Sequence, residues 1–221
     1  IEKTQNSRIG QFDAENIGFG KIFTDHMFLA QWNGSDWINA RIVPYGPIPM
    51  SPATSAINYG QSIFEGMKAF ADKQNGSPIL FRPRENWKRL NRSAERMVMP
   101  LVPEELFMDG LKTLINLDSA WVPRTEGGSL YIRPALLGTT ANIGAAGAPT
   151  KDALLIVLVS PVYDYFAGGL KPLTIYVEEH ATRCASNLPL RCSTCPTRRL
   201  PALPRWTGSG IKVPGTPSNP P

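Results

Sequence analysis

The sequence predicts an α+β fold, a mainly antiparallel sheet with helices packed against it. Three observations carry this. Candidate strands outnumber helices and follow one another along the chain; residues 129–137 alternate with period two; and only two stretches, opening at Arg84 and Pro103, place apolar residues at helical spacing. A doubly wound parallel sheet would instead alternate strand and helix.

The first element is a hairpin. Lys21–Ala30 and Asp36–Val43 are strand-like and flank Asn33-Gly34, a dipeptide suited to the positive φ angles of a type I′ turn. A proline-rich connection, Pro44 to Pro52, leads to Ser55–Phe70, read as a short helical turn running into a strand. Ile79–Arg82 is another strand. From Arg84 to Met99, Trp87, Leu90, Ala94, Met97 and Val98 form one stripe while Lys88, Arg89, Arg92, Glu95 and Arg96 fill the rest, which makes a helix that Pro100 ends. A second helix opens at Pro103-Glu104-Glu105, where a proline and two acids suit a first turn. Along Ser129–Leu137, Tyr131, Arg133 and Ala135 share one face and Leu130, Ile132 and Pro134 the other. Thr139 to Pro149 is a glycine- and alanine-rich loop, and Asp152–Val159 and Leu173–Glu178 are strands.

The composition changes at Ala181. The 41 residues from there to Pro221 hold no Asp or Glu, eight prolines, all three cysteines and six of the 23 Lys/Arg, leaving 17 Lys/Arg against 18 Asp/Glu in the body. The basic net charge therefore belongs to the tail, and the body has no cationic excess with which to bind nucleic acid. The longest apolar stretch, Ala153 to Val159, is strand-sized, so no membrane span is expected. The N-terminus lacks a hydrophobic signal core and the body has no cysteine before Cys184. A reducing compartment is expected, cytoplasmic, or mitochondrial or plastid if a transit segment is removed.

Among side chains able to carry chemistry, Arg89 stands in a helix with other bases. It is either part of a solvated basic face or turned inward to hold a phosphate with its planar fork. Tyr131 and Arg133 set a phenol beside a guanidinium on one strand face, which calls for an anionic partner, either a ligand or a structural carboxylate. The aromatic set Phe19, Tyr59, Phe64, Tyr163, Tyr165 and Phe166 reads as core packing or as a ligand box. His26 and His180 are too dispersed for a metal site or a triad, and His26 beside Asp25 reads as structural. Cys192 and Cys195 have redox or zinc spacing, but no second pair follows.

Several long motifs then occur in order: Phe19–Met27, Phe64–Phe70, Phe81-Arg82-Pro83 with Asn86–Arg89 and Ser93–Met97, and Ser129–Pro134. Together, from about Gly18 to about Arg183, they closely resemble the branched-chain amino acid aminotransferases. The resemblance implies fold-type IV pyridoxal-phosphate enzymes: a small N-terminal domain, a larger C-terminal domain, the cofactor between them and a homodimer. It implies transfer of the amino group of leucine, isoleucine or valine to 2-oxoglutarate. It makes Arg89 the cofactor-phosphate arginine and places Phe19, Tyr59, Phe64, Tyr131, Arg133 and Tyr165 around the substrate, with Thr139–Pro149 as the interdomain loop over the site. Fold-type IV also contains D-amino acid transaminases and aminodeoxychorismate lyases, against which Phe64–Phe70 argues.

The resemblance stops near Arg183. Transamination needs a lysine amine joined to the cofactor, and the family's lysine lies in a glycine-rich turn shortly after the arginine that Arg183 matches. Here Ser186–Arg191 follows, with no glycine before Gly208 and no lysine before Lys212, which matches nothing in the family. No catalytic residue is assigned, and this chain is expected neither to hold the cofactor covalently nor to turn over. The expected division is a small domain over 1–168, a linker and the start of the large domain over 169–185, and a disordered Pro/Arg-rich tail over 186–221. A shifted reading frame or splice junction accounts for such a tail. The other readings are a short isoform that docks on a full-length partner and a non-catalytic binding protein.

Overall fold

The structure is a computed structural model and describes residues 1–12, 19–144, 148–163, 175–177 and 209–211. The chain divides into two compact units, Ile1–Tyr165 and Phe166–Pro221. The fold of the first is the predicted α+β arrangement. Strands β1 (His26–Trp32) and β2 (Trp37–Pro44) precede helix α1 (Ser55–Tyr59). Then come β3 (Ser62–Phe64), β4 (Met67–Ala71), β5 (Pro78–Leu80), helices α2 (Pro83–Arg96) and α3 (Glu104–Leu117), and strands β6 (Ser129–Gly138) and β7 (Ala153–Val162). They form a seven-stranded antiparallel sheet in the order β2-β1-β7-β6-β4-β5, with β3 also paired to β6.

One face of this sheet is covered by α2 and α3. Leu90 and Ala94 from α2 and Phe107, Leu111, Leu114 and Ile115 from α3 are buried against Phe28, Ala69, Leu130, Ile132, Leu136, Leu155 and Val157. Full burial of each large side chain contributes about 1.5–3 kcal/mol, so this layer dominates the stability of the unit. Gly110 allows the close approach of α3 to β1: a Cβ there would lie 2.6 Å from Cζ of Phe28. The opposite face carries a smaller cluster of Met27, Leu29, Leu154 and Ile156, packed against Val43, Ile48, Met50, Leu137 and Leu158.

Several expected details differ. The hairpin turn is not a two-residue type I′ turn, because Gly34 has a positive φ and Asn33 does not. The Asn33 N–H instead donates to the Asp36 carbonyl, and the Asn33 Oδ1 accepts from the N–H groups of Ser35 and Asp36. Register slips by one residue between Leu29 and Gln31, with Asn39 at φ 53° opposite the slip. Helix α2 ends at Arg96 before Pro100 can act: the Met97 N–H caps the last turn and Val98 takes a φ of 52°. The strand expected through Phe70 is broken into β3 and β4.

His26 and Asp25 do prove structural. The Nδ1 of His26 lies 2.6 Å from Oδ1 of the buried Asp118, and its Nε2 accepts the Thr4 N–H at 3.0 Å, so the ring's proton sits on Nδ1. Asp25 accepts from Ser7 Oγ, the Arg8 N–H and Trp121 Nε1. Burial pushes the Asp25 carboxyl up, but these donors and the Arg8 charge outweigh it and hold the carboxyl below its ordinary value. The two residues clasp residues 4–8 against the sheet.

In the second unit, β8 (Ile175–Val177) pairs antiparallel with β9 (Ser209–Ile211), Ile175 opposite Ile211. Strand β9 falls within residues 186–221. Cys184, Cys192, Cys195 and the rest of 178–208 lie outside the described residues.

Candidate functional site

The site is built on β6. Its alternation buries Leu130, Ile132 and Pro134 toward the helices and turns Tyr131 and Arg133 to the opposite face. Arg133 donates to the Tyr131 hydroxyl from Nε at 3.1 Å and from Nη2 at 2.7 Å. Its guanidinium lies 4.1 Å from the Phe64 ring centroid, within cation–π range. Phe19 packs on Tyr131 with centroids 5.0 Å apart and planes tilted by 56°. Four of the six predicted substrate residues, Phe19, Phe64, Tyr131 and Arg133, therefore form one cluster. It is not core packing, since Phe19 is 38% and Phe64 62% exposed. Among the described residues Arg133 makes no ion pair. Within the described residues its charge is braced but not neutralised.

The break between β3 and β4 has a cause in β6. Phe64 pairs with Ala135 and Met67 with Ile132, so the register runs unbroken and sets Glu65 opposite Pro134 and Gly66 opposite Arg133. The Glu65 N–H donates to the Pro134 carbonyl at 2.9 Å, but Pro134 has no N–H to return. The ladder is interrupted there. Phe64 packs beneath Arg133, while Glu65 turns to α2. Gly66 is required by the close approach of the phenol, because a Cβ there would lie 2.6 Å from Tyr131 Oη.

Arg89 is exposed on α2 but pairs with a buried carboxylate. Its Nε and Nη2 donate to the two carboxylate oxygens of Glu65, each at 2.6 Å, and Asn86, one helical turn earlier, donates from Nδ2 to Glu65 Oε2 at 3.1 Å and to the Gly66 carbonyl at 3.3 Å. Glu65 is 4% exposed. Burial pushes its carboxyl up, but the Arg89 and Asn86 hydrogen bonds, the Arg89 charge and the Gly66 N–H more than offset this and hold it below the ordinary range. The same carboxylate raises Arg89. The Arg89 side chain remains 58% exposed, and its Nη1 has no partner among the described residues.

Sequence reasoning singled out none of Glu65, Asn86 and Gly66, although all three lie within the quoted motifs. The one available signal was Pro134 within a strand, which fixes where a neighbour must break. Tyr59 stands apart from the cluster; its hydroxyl donates to the Ile143 carbonyl in the loop after β6. Tyr165 and Phe166 lie outside the described residues. Among the described residues no group of His, Cys, Asp and Glu could hold a metal ion, and no helix is long and apolar enough to cross a membrane. A depression elsewhere, lined by Leu29, Arg41, Met50 and Leu154, contains none of the predicted residues.

The arrangement can hold two anions: a carboxylate at Arg133 beside apolar rings, and a second anion at the free edge of Arg89. No family model matches the chain. Over 173 residues it is 48% identical to a probable branched-chain-amino-acid aminotransferase of Staphylococcus aureus (strain MRSA252), covering 77% of this chain and 47% of that protein. Branched-chain-amino-acid aminotransferase 2 of Bacillus subtilis (strain 168) is 41% identical over 172 residues, with the same coverage of 77% and 47%. The chain spans about half the length of the curated relatives it matches. Among solved structures, the Escherichia coli branched-chain amino acid aminotransferase aligns with a TM-score of 0.52 and 24% identity over 74% of this chain and 49% of that one, a likeness of fold.

Proposed function

We propose that this chain forms the pocket-building small domain of a branched-chain aminotransferase, the enzymes to which 77% of its length is similar. The observation that carries the proposal is Arg133: a half-buried guanidinium held by Tyr131 and Phe64, with no carboxylate of its own among the described residues. Leaving such a charge unpaired is unfavourable unless an anion completes it. The distal carboxylate of glutamate or 2-oxoglutarate does so through the planar fork. A branched aliphatic side chain, which has no charge, rests instead on Phe19, Phe64 and the Tyr131 ring. Tyr59 and Tyr165 are assigned to the same enclosure by resemblance.

Pyridoxal phosphate fits the residues present. Arg89 keeps its Nη1/Nη2 edge for the phosphate after Glu65 has taken the Nε/Nη2 edge. When bound, the cofactor supplies an electron sink for charge left at the substrate α-carbon. The chain's own assigned residues bind and orient: Arg133 holds the carboxylate, Tyr131 fixes Arg133, and the aromatic rings exclude water. None of them is an amine placed to carry the cofactor or move the α-proton, and residues 186–221 offer no lysine in the family's pattern. Turnover by this chain alone is therefore not proposed. The division into a small domain over 1–168 and a linker over 169–185, and pairing with a second copy, belong to the same reading.

The test is equilibrium binding of 2-oxoglutarate and of 4-methyl-2-oxopentanoate to the chain and to its Arg133→Gln variant. Loss of the dicarboxylate preference by about tenfold or more is expected in the variant. Equal binding of 2-oxoglutarate to both proteins refutes the assignment.

A further inference from the structure

Glu65 is the most deeply buried carboxylate near the site, and nothing in the substrate pocket uses it. It sits where Pro134 interrupts the β3–β4 ladder, follows the pocket residue Phe64 directly and takes both donors of one edge of Arg89. Asn86 Nδ2 donates to the same carboxylate. A carboxylate with so many fixed donors has one orientation, and the arginine bound to it loses the rotamer freedom a long exposed side chain otherwise keeps.

Building on the reading of Arg89 as a phosphate-binding residue, we propose that Glu65 is a positioning residue: it clamps the Nε/Nη2 edge of Arg89 so that the Nη1/Nη2 edge is presented, pre-oriented, to a phosphate monoester such as that of a pyridoxyl cofactor. The geometry favours this over a competing role in which Glu65 blocks the arginine. The two oxygens occupy one edge of the guanidinium and leave the other edge open, and the carboxylate is held 4% exposed by donors from α2. The Glu65 clamp also ties this arm to the pocket, because Phe64 and Glu65 are consecutive and lie against Arg133 and Arg89 respectively. One backbone segment registers both anion sites.

The experiment compares binding of pyridoxamine 5′-phosphate and of pyridoxamine, which differ only in the phosphate, to the whole chain and to Arg89→Gln, Glu65→Gln and Glu65→Asp variants, by ligand fluorescence with melting followed in parallel. The unsubstituted chain prefers the phosphorylated probe, and Arg89→Gln abolishes the preference. Glu65→Gln reduces it by about tenfold, the worth of a charge-assisted contact held in place, while pyridoxamine binds as before. Glu65→Asp, one methylene short of reaching both nitrogens, falls between, and it replaces the first variant if that fails to fold. Glu65→Gln in the Arg89→Gln background adds nothing. Full preference retained in the Glu65 variants overturns the clamp while leaving Arg89 as the phosphate arm; so does equal weakening of both probes, the mark of a merely structural pair. An Arg89→Gln variant that keeps the preference overturns the phosphate reading and the clamp together.

Discussion

Replacing Gly66 with alanine separates the site from the fold. An added Cβ would lie 2.6 Å from the Tyr131 hydroxyl, which must retreat by about 0.8 Å to reach ordinary contact at 3.4 Å. The hydroxyl is the far end of a side chain whose ring also rests on Phe19, so the ring swings rather than the backbone moving. Displaced by that amount away from Arg133, the hydroxyl would stand about 3.5 and 3.9 Å from the nitrogens now at 2.7 and 3.1 Å, at the limit of hydrogen-bond range for one and beyond it for the other. The overpacking penalty is about 1 kcal/mol, at the low end for such insertions. Replacing glycine in an extended segment returns about 0.5–1 kcal/mol of chain entropy. Global stability should therefore change little, whereas losing the brace on Arg133 weakens carboxylate binding by about 1.5–3 kcal/mol, or tenfold and more. Urea unfolding and 2-oxoglutarate binding, run on the same preparation, check this. Unchanged affinity would refute the close contact as a determinant of the site, and a large drop in unfolding free energy would refute the claim that the ring can yield.

Two further outcomes follow from the fold. Gly110→Ala places a methyl 2.6 to 2.8 Å from the Phe28 ring, in the interface of α3 with β1 where neither can yield; about 1 kcal/mol gained in helix propensity is outweighed by overpacking of about 1–3 kcal/mol, and the urea midpoint falls. Asp25 and Glu65 are both held below their ordinary values of 3.8 and 4.5. A carboxyl depressed by folding adds stability that is complete above its unfolded value and lost as pH falls through its folded one, so unfolding free energy should be flat near neutrality and decline below about pH 4.5. The decline should be shallower in Glu65→Gln, and an identical acid profile would show that Glu65 contributes nothing to it.

Strand and helix identity was legible because each rests on a local period: the alternation of Ser129–Gly138, the α2 stripe through Leu90 and Ala94, and the acids and proline opening α3. The fold class and the residue types expected at the substrate and cofactor positions followed from those patterns and from the motif order. Turn geometry and helix ends were less legible, since the Asn33 side chain and the left-handed Val98 act through bonds that composition does not display.

The amino-acid sequence by itself determined that Tyr131 and Arg133 share a face, that Arg89 is a cation on a helix, and that residues after Ala181 differ in kind from those before. Only the tertiary structure decided which partners those groups have. Register across β6 set Glu65 against the proline that breaks the ladder and so delivered it to Arg89, 24 positions along the chain. Packing brought Phe19 onto Tyr131 and left Arg133 without a counter-ion among the described residues. Periodicity is a property of neighbours along the backbone, whereas pairing between strands depends on where distant segments meet, and that is fixed only when the whole sheet closes on its core.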